Sequence, residues 1–257
     1  MPYRRLVGVG PDGRMVIDDP DPALPAAHAL LTTSAHGIGG EWFSTCLDRG
    51  FTRAGLTAGQ AGYFFEEFLD IARWQKSGGL ANAIAVINTT GGVMQLAIAA
   101  GARTAYCNGD AVLGMPRLLL GNGRFYLATR LSIQAGAPAD AYVNVGAFGP
   151  GGAGSLAYVG YDGAFDAGHY SAGIRDAVNP IESVASTVAL DIAWHTMEFW
   201  CNATNYYLSV DGETPVVLAP TNPPTINLFP WIDVSGGAGV GITVNVDKYL
   251  AVFPQAA

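Results

Sequence analysis

Paired carboxylates are the first groups to seek, because two of them about 5 Å apart can hydrolyse a glycosidic bond. Glu66 and Glu67 are adjacent, and adjacent residues of a strand point to opposite faces of the sheet. Asp140 and Asp162 each stand at the end of a predicted strand, with no carboxylate two residues away. The sequence therefore offers no carboxylate dyad, and we predict that the chain is not an enzyme.

Histidine and cysteine spacing is the second source of possible chemistry. His195 begins a predicted strand, and its neighbours in the sequence supply neither an Asp partner nor a nucleophile, so we predict a structural histidine. His169 lies close to Asp166, but a metal needs further ligands that the sequence does not cluster there. Three widely spaced cysteines fit neither a disulfide framework nor a zinc site. We expect no metal site and no cofactor.

Aromatic side chains on strands could stack on a sugar ring or contact a protein partner. The candidates are Trp200, Tyr206, Tyr207 and Trp231. Strand aromatics often pack into the core instead, but alternation places half of those in EFWCN and NYYLSV on the outer face. We therefore predict at least one exposed aromatic, which keeps contact with a glycan or a protein open.

Short strands from residue 60 onward must position these side chains. The run 124–134 alternates well, and so does the run 241–253, which closes the chain. Further strands are predicted at 63–68, 83–88, 93–99, 142–145, 156–159, 193–201 and 206–210. Turn signals at 89–92 and 202–205 predict hairpins. The pattern predicts an all-β, antiparallel two-sheet sandwich with one buried and one outward face per strand.

Residues 1–59 differ from the rest of the chain. Prolines in DDPDPALP (18–25) oppose regular pairing, while 4–17 could form a hairpin and 40–49 a short helix. We interpret 1–59 as an extended N-terminal arm that is ordered by contact with a partner, and 60–257 as the sandwich. A disordered leader is the alternative. The predicted docking residues of the arm are Tyr3, Arg4, Arg5, Trp42 and Phe43.

Composition narrows the classes of partner. The formal net charge is −8, which lacks the basic footprint of a nucleic-acid-binding protein and disfavours anionic membrane surfaces. Only 13% of the residues are charged, which suggests a surface covered by a partner or by copies of the chain. Two arginines near the start precede no apolar segment of the kind that a secretory signal needs. No apolar run approaches the roughly 20 residues that span a bilayer.

Segments of the chain share their order and spacing with a known fold family. They are YFFEEFLDIARWQKSGG, GGVMQLAIAAG, GRFYLATRLSI, AWHTMEFWCNATNYYLSVDGE and GITVNVDKYLAVF. In the fourth, a Trp-His pair enters a strand and a hairpin returns through aromatics to Val-Asp-Gly. Together they resemble the concanavalin A-like lectin/glucanase superfamily, including laminin-G-like domains. The resemblance covers about residues 60–255 and implies a curved jelly roll of two sheets.

The resemblance leaves the function open, because the fold serves glycan binding, glycan cleavage and structural display. Glycosidases of this superfamily place several carboxylates on one strand, whereas this chain offers Asp140 and Asp162 at strand ends. An active hydrolase would need one of these residues, or Asp166, beside another carboxylate in one cleft. Some lectins of the superfamily bind calcium through loop Asp and Asn side chains, but Asp162 and Asp166 alone are too few.

We predict a non-enzymatic structural or interaction protein. The proline-broken arm ahead of a lectin-like sandwich looks like a bacteriophage virion surface protein, either a head decoration or a tail or fibre component. Its expected partners are other virion proteins and copies of itself in a homo-oligomer, with a host-surface glycan as a further ligand. The alternative is a glycan-binding module or degenerate glycosidase that acts on surface polysaccharide.

Overall fold

A computed structural model describes most of the sandwich and parts of the N-terminal region. The described residues are 5–9, 15–18, 39–57, 60–66, 68, 74–77, 84–87, 92–108, 124–135, 139–149, 154–224 and 228–254. No helix within these ranges is both long and apolar enough to cross a membrane.

The chain divides into two compact units, Met1–Ser44 and Thr45–Ala257. The first contains strands β1 (Arg5–Val9) and β2 (Met15–Asp18), which pair antiparallel. The predicted N-terminal hairpin is therefore confirmed. The first unit ends earlier than the boundary predicted at residue 59, because most of the following helix belongs to the second unit.

Helix α1 (Gly39–Ala54) confirms the predicted short helix and extends it at its C-terminal end. Trp42 on this helix is buried and Phe43 is half-buried. Tyr3 and Arg4 lie outside the described residues, and only the backbone of Arg5 is described. A docking role for these five residues stays a prediction.

The second unit contains an antiparallel β-sandwich. Its strands are β3 (Ala61–Glu66), β4 (Trp74–Ser77), β5 (Ile84–Ile87), β6 (Val93–Ile98), β7 (Arg103–Asn108), β8 (Arg124–Ala135), β9 (Tyr142–Phe148), β10 (Leu156–Asp162), β11 (His169–Arg175), β12 (Glu182–Ala189), β13 (His195–Asn202), β14 (Tyr206–Val210), β15 (Val216–Leu218), β16 (Phe229–Ser235) and β17 (Ile242–Pro254). The predicted hairpins β5–β6 and β13–β14 both form.

Two sheets make up the sandwich. The seven-stranded sheet has the order β12-β11-β10-β9-β16-β7-β4, and the eight-stranded sheet has the order β15-β14-β13-β8-β17-β6-β5 with β3 also paired to β17. Strands far apart in the chain are neighbours in both sheets, as in β9–β16 and β8–β17. The predicted antiparallel jelly-roll sandwich is therefore confirmed.

The core lies between the inner faces of the two sheets. Alternate residues of β8 and β17 point into it, as their sequence pattern predicts. The other sheet contributes inward residues such as Val143, Val145, Ile232 and Val234. Since these positions alternate, the residues between them must lie on the outer face of the seven-stranded sheet.

Residues 45–54 of α1 cover part of the outer face of the eight-stranded sheet. Gly50 lies so close to this sheet that a Cβ would stand 2.8 Å from Tyr126 Cδ1 and 2.9 Å from Val252 Cγ2. Beside this contact Glu198 is fully buried, and its carboxylate pairs with Arg49 at 3.3 Å and with Arg53 at 2.9 Å. The helix is thus joined to the sheet by close packing and by ion pairs.

Candidate functional site

The outer face of the seven-stranded sheet presents a row of polar side chains on neighbouring strands. Asp233 on β16 stands opposite Asn144 on β9, and Asn144 stands opposite Gly160 on β10. The row continues to Ser171 on β11, which pairs with Gly160. Asp233, Asn144 and Ser171 are all buried, although polar groups at an outer face are ordinarily hydrated.

Asp233 is held by Arg103, which begins the neighbouring strand β7. Arg103 Nε donates to both carboxylate oxygens, at 3.0 and 3.2 Å, and its Nη2 donates to Oδ2. The hydroxyl of Tyr142 also hydrogen-bonds to Asp233. Burial raises the pKa of Asp233, and the bonds from Arg103 and Tyr142 oppose that rise. The Arg103 side chain is 57% exposed. The buried carboxylate of Asp233 is therefore paired with a group that solvent can reach.

The row has two buried polar atoms without a hydrogen-bond partner among the described residues, Ser171 Oγ and Asn144 Oδ1, and Asn144 is the member opposite Asp233. Its side chain is 7% exposed, and Oδ1 finds no hydrogen-bond partner among the described residues. A buried amide oxygen without a donor costs about 1–3 kcal/mol. Such an atom beside a buried carboxylate is a natural place for a ligand to donate a hydrogen bond.

Tyr158 extends the polar row along β10. Its ring crosses β11 above Gly173, where a Cβ would stand 2.6 Å from Tyr158 Cε1. The Tyr158 hydroxyl then reaches Ser183 Oγ on β12 at 3.2 Å. Glycine at 173 therefore allows the ring to lie flat across the sheet, and burial raises the pKa of Tyr158 so that it stays a neutral phenol.

An aromatic pair lies farther along the same strands, with Trp231 one outward position from Asp233 and Phe148 two outward positions from Asn144. Phe148 on β9 and Trp231 on β16 stack, with ring centroids 5.0 Å apart and an interplanar angle of 25°. Phe148 is half-buried, whereas Trp231 is 3% exposed. The predicted contact residue Trp231 thus belongs to this face, but it supports Phe148 and does not present its own ring to solvent.

The other predicted aromatic contacts lie on the eight-stranded sheet. Tyr206 points into the core, and Trp200 is buried beneath Arg53, whose Cζ lies 4.1 Å from the ring centroid. Tyr207 stacks on Trp200 at 5.3 Å and is half-buried. Burial by the core and by the helix thus removes Trp200 and Tyr206 from any sugar, and the helix was the feature that strand alternation could not reveal. Contact through Tyr207 stays a prediction.

The carboxylates considered for hydrolysis are not brought together as a dyad. Asp162 pairs with Tyr142, Tyr142 pairs with Ser235, and Asp233 is two residues from Ser235. Strand spacing and rise then put the Cα atoms of Asp162 and Asp233 about 12 Å apart. Asp162 caps its own turn on the N–H of Ala164, and Asp140 accepts the N–H of Ala238, which is 98 residues away in the sequence.

His195 corrects the prediction that it lacks an Asp partner. Its Nδ1 lies 2.6 Å from Asp211 Oδ2, and its Nε2 lies 2.8 Å from Asp191 Oδ1. Asp211 and Gly212 both have positive φ, and this turn directs the Asp211 carboxylate back to the strand start. Asp191 stands four residues before His195, so the sequence did contain a signal for this contact.

His169 pairs with Asp166, with Nδ1 3.1 Å from each carboxylate oxygen. Within the described ranges, no group of three or more His, Cys, Asp or Glu side chains is arranged to hold a metal ion.

Comparison with known proteins gives a fold. No protein-family model and no curated sequence matches the chain. A protein of unknown function from Shewanella oneidensis MR-1 aligns with 13% identity over 77% of this chain and 90% of its own, with a TM-score of 0.53. A β-1,3-glucanase from Mycobacterium marinum aligns with 13% identity over 74% of this chain and 97% of its own, with a TM-score of 0.50.

These comparisons overturn the main functional prediction. The solved structures that share the fold include this β-1,3-glucanase, and none of these findings shows a virion role. The prediction of a bacteriophage virion surface protein is therefore wrong, because it depended on a resemblance of fold, and a fold alone does not establish that role. The alternative of a glycan-binding module or degenerate glycosidase fits better.

Proposed function

We propose that the chain binds a glycan on the outer face of its seven-stranded sheet and does not cleave it. The observation that supports this proposal is Asn144 Oδ1, a buried acceptor to which no described residue donates, beside the Asp233–Arg103 pair. A glycan can offer both donors and acceptors to this row, because each of its hydroxyls can donate one hydrogen bond and accept another.

The row matches the chemistry of neighbouring sugar hydroxyls. Asn144 would accept from one hydroxyl, while the exposed guanidinium of Arg103 would donate to the next. The half-buried ring of Phe148, stacked on Trp231, offers an apolar surface for the C–H face of a sugar ring. A few fixed polar groups beside an apolar surface are the usual composition of a small-molecule site.

Binding is favoured over cleavage by the placement of the carboxylates. A retaining glycosidase needs two carboxyl groups about 5 Å apart, and an inverting one needs about 6.5–9.5 Å. Asp162 is engaged in its own turn, where its carboxylate accepts the N–H of Ala164, and Asp233 is engaged by the guanidinium of Arg103. The glucanase that shares the fold supports a glycan as the ligand class.

A matched pair of substitutions tests the proposal in the full-length chain. Asn144 and Asn245 are buried strand asparagines on the outer faces of opposite sheets, but Asn245 Oδ1 accepts from Gln95 Nε2 at 2.9 Å. Affinity electrophoresis against a soluble β-1,3-glucan and against other neutral and acidic polysaccharides should show binding by the unsubstituted protein. We expect Asn144→Ala to weaken it roughly tenfold or more, one lost hydrogen bond to a ligand being about 1.4 kcal/mol.

The control separates a binding role from a structural one. Asn245→Ala should keep full binding yet lower the melting temperature, because it leaves Gln95 without its acceptor. Asn144→Ala should leave the melting temperature almost unchanged. Equal binding by both variants, or no binding by the unsubstituted protein to any polysaccharide, would overturn the proposal.

Hydrolysis is the second candidate, and the raised pKa of Asp233 is the observation that favours it. Release of reducing ends from the same polysaccharides measures it directly. Turnover that Asp233→Asn abolishes would replace the binding proposal with a glycosidase.

A further inference from the structure

His195 is enclosed by carboxylates on both sides of its ring. The residue is buried at the start of β13, with Asp211 at 2.6 Å from Nδ1 and Asp191 at 2.8 Å from Nε2. A neutral imidazole has one N–H, so it can donate to only one of these carboxylates. Both contacts are hydrogen bonds only when the ring is an imidazolium.

We propose that protonated His195 is a latch that ties the connection 190–194 to the turn after β14, and that its deprotonation as the pH rises breaks one of its two carboxylate contacts and so loosens this connection. The latch involves neither the polar row nor Phe148, and so it is independent of the proposed glycan site.

The hydrogen bonds around His195 show what the latch holds. Asp191 lies within the connection, where its carboxylate accepts the N–H of Ala193 at 2.6 Å and its carbonyl accepts the Tyr170 hydroxyl at 3.1 Å. Asp211 lies in the turn after β14 and accepts the N–H of Thr196 at 2.8 Å. The imidazolium therefore joins the connection, the start of β13 and the turn after β14 at one point.

The connection carries exposed apolar side chains, which gives its release a measurable effect. Ile192 is 71% exposed and Trp194 is 37% exposed. Arg130 stacks on Trp194, with Cζ 5.1 Å from the ring centroid, and also pairs with Asp247 at 2.7 Å. Release of 190–194 would move this surface away from Arg130.

The charges that face His195 determine the direction of the switch. Within the described part of the chain they are Asp191 and Asp211, and the ring of Tyr170 packs on the imidazole with centroids 4.7 Å apart. Burial acts to lower the pKa of His195, but the hydrogen bonds and charges of the two carboxylates outweigh it and raise the pKa above 6.5. Burial raises the pKa of Tyr170 to about 12, so its phenol stays neutral throughout.

The sign of the pH dependence follows from these directions. Because the pKa of His195 is raised in the folded state, the latch contributes fully below pH 6.5 and is lost as the pH rises through the folded pKa. The bond to His195 lowers the pKa of Asp191, so the latch also weakens in strong acid as that carboxylate becomes protonated.

The same chain contains an internal control. His169 is half-exposed, and its Nδ1 meets the single carboxylate of Asp166. A neutral His169 can keep that hydrogen bond by placing its proton on Nδ1. His169 can therefore lose its charge without losing its contact, whereas His195 cannot.

The test is a nitrogen NMR titration of both histidines in the full-length protein, followed by amide hydrogen exchange. We expect both ring nitrogens of His195 to be protonated at low pH and one of them to lose its proton at a midpoint above pH 6.5. Above that midpoint, the amides of Ala193 and Thr196 should exchange roughly tenfold faster relative to the amide of Asp166, which bonds to the Asp162 carbonyl at 2.9 Å.

His195→Gln removes the charge of the latch directly. Two further variants leave His195 unchanged, so they test the latch even where His195→Gln does not fold. Asp191→Asn alters an exposed side chain and should lower the midpoint of His195 and the pH at which exchange accelerates. Asp166→Asn is the matched control and should leave the midpoint of His195 unchanged. Titration of His195 at or below pH 6.5, or exchange at Ala193 and Thr196 that changes with neither pH nor Asp191→Asn, would overturn the latch.

Discussion

Glu198 and Asp233 are both buried carboxylates on outer sheet faces, and their surroundings differ. Glu198 pairs with Arg49 and Arg53 and accepts the Tyr126 hydroxyl beneath residues 45–54 of α1. Asp233 pairs with one arginine, which is 57% exposed, and stands next to an amide oxygen without a donor.

The comparison separates a structural network from a candidate binding site. Around Glu198, each oxygen of the carboxylate has an arginine, and the helix closes the network from above. Asp233 instead pairs with the exposed Arg103, and opposite it on β9 Asn144 Oδ1 has no donor among the described residues. A buried polar group that is only partly satisfied is costly, and at this second place no helix lies between the described groups and a ligand that could remove the cost.

The largest effect should come from removing the arginines of the closed network. The double variant Arg49→Met/Arg53→Met leaves Glu198 buried without a compensating charge, which should cost about 3–5 kcal/mol of unfolding free energy. Glu198→Gln should cost less, because Arg49 is 45% exposed and both arginines can regain water. Chemical denaturation measures both variants. A double variant no less stable than Glu198→Gln would show that the helix does not depend on this network.

Two glycines, one on each face, provide the next test. At Gly173 a Cβ meets the Tyr158 ring at 2.6 Å and Ser183 Oγ at 2.8 Å, and such overpacking typically costs about 1–3 kcal/mol. At Gly50 a Cβ meets Tyr126 and Val252, but alanine also gains about 1 kcal/mol of helix propensity over glycine. We therefore expect Gly173→Ala to lower the melting temperature more than Gly50→Ala does. The reverse order would mean that Tyr158 can move away at little cost.

Much of the sandwich is predictable from alternation, while its polar sites are not. Alternation identifies the inward residues of β8 and of the first half of β17, but a bulge between Val246 and Lys248 reverses the faces in the second half of β17. Alternation does not identify β11, where Gly173 serves the Tyr158 ring, or β16, where Pro230 interrupts the usual strand composition. Alternation reveals a strand when apolar residues occupy one face and ordinary polar residues the other. In β11 and β16, glycine and buried polar residues occupy the outer face, and this hides the alternation.

The sites depend on contacts between distant parts of the sequence. Arg103 and Asp233 are separated by 130 residues, and nothing in either local sequence marks the other as its partner. Asn144 sits in an ordinary strand, and its lack of a donor is visible only in three dimensions. Asp191 is the exception, since it stands four residues from His195 and sequence reasoning passed over it.

The smallest effect should come from Asp233→Asn, and its pH dependence makes it informative. Half-exposed Arg103 can regain water, so the stability change at neutral pH should stay within about 1 kcal/mol. Burial raises the pKa of Asp233 above 3.8, so the folded state binds this proton more tightly than the unfolded state does. Ionisation of Asp233 therefore lowers the stability of the unsubstituted protein as the pH rises from 3.8 through the folded pKa.

Asparagine cannot ionise, so Asp233→Asn should gain stability relative to the unsubstituted protein across that same interval. Melting temperatures of both proteins between pH 3 and pH 8 measure the difference, and Asp162→Asn is a control for an aspartate of the same face that caps a turn. A difference that does not change with pH would mean that Arg103 offsets burial completely. Asp233 would then resemble Glu198 as a closed structural pair, and the contrast between the two faces would depend on Asn144 alone.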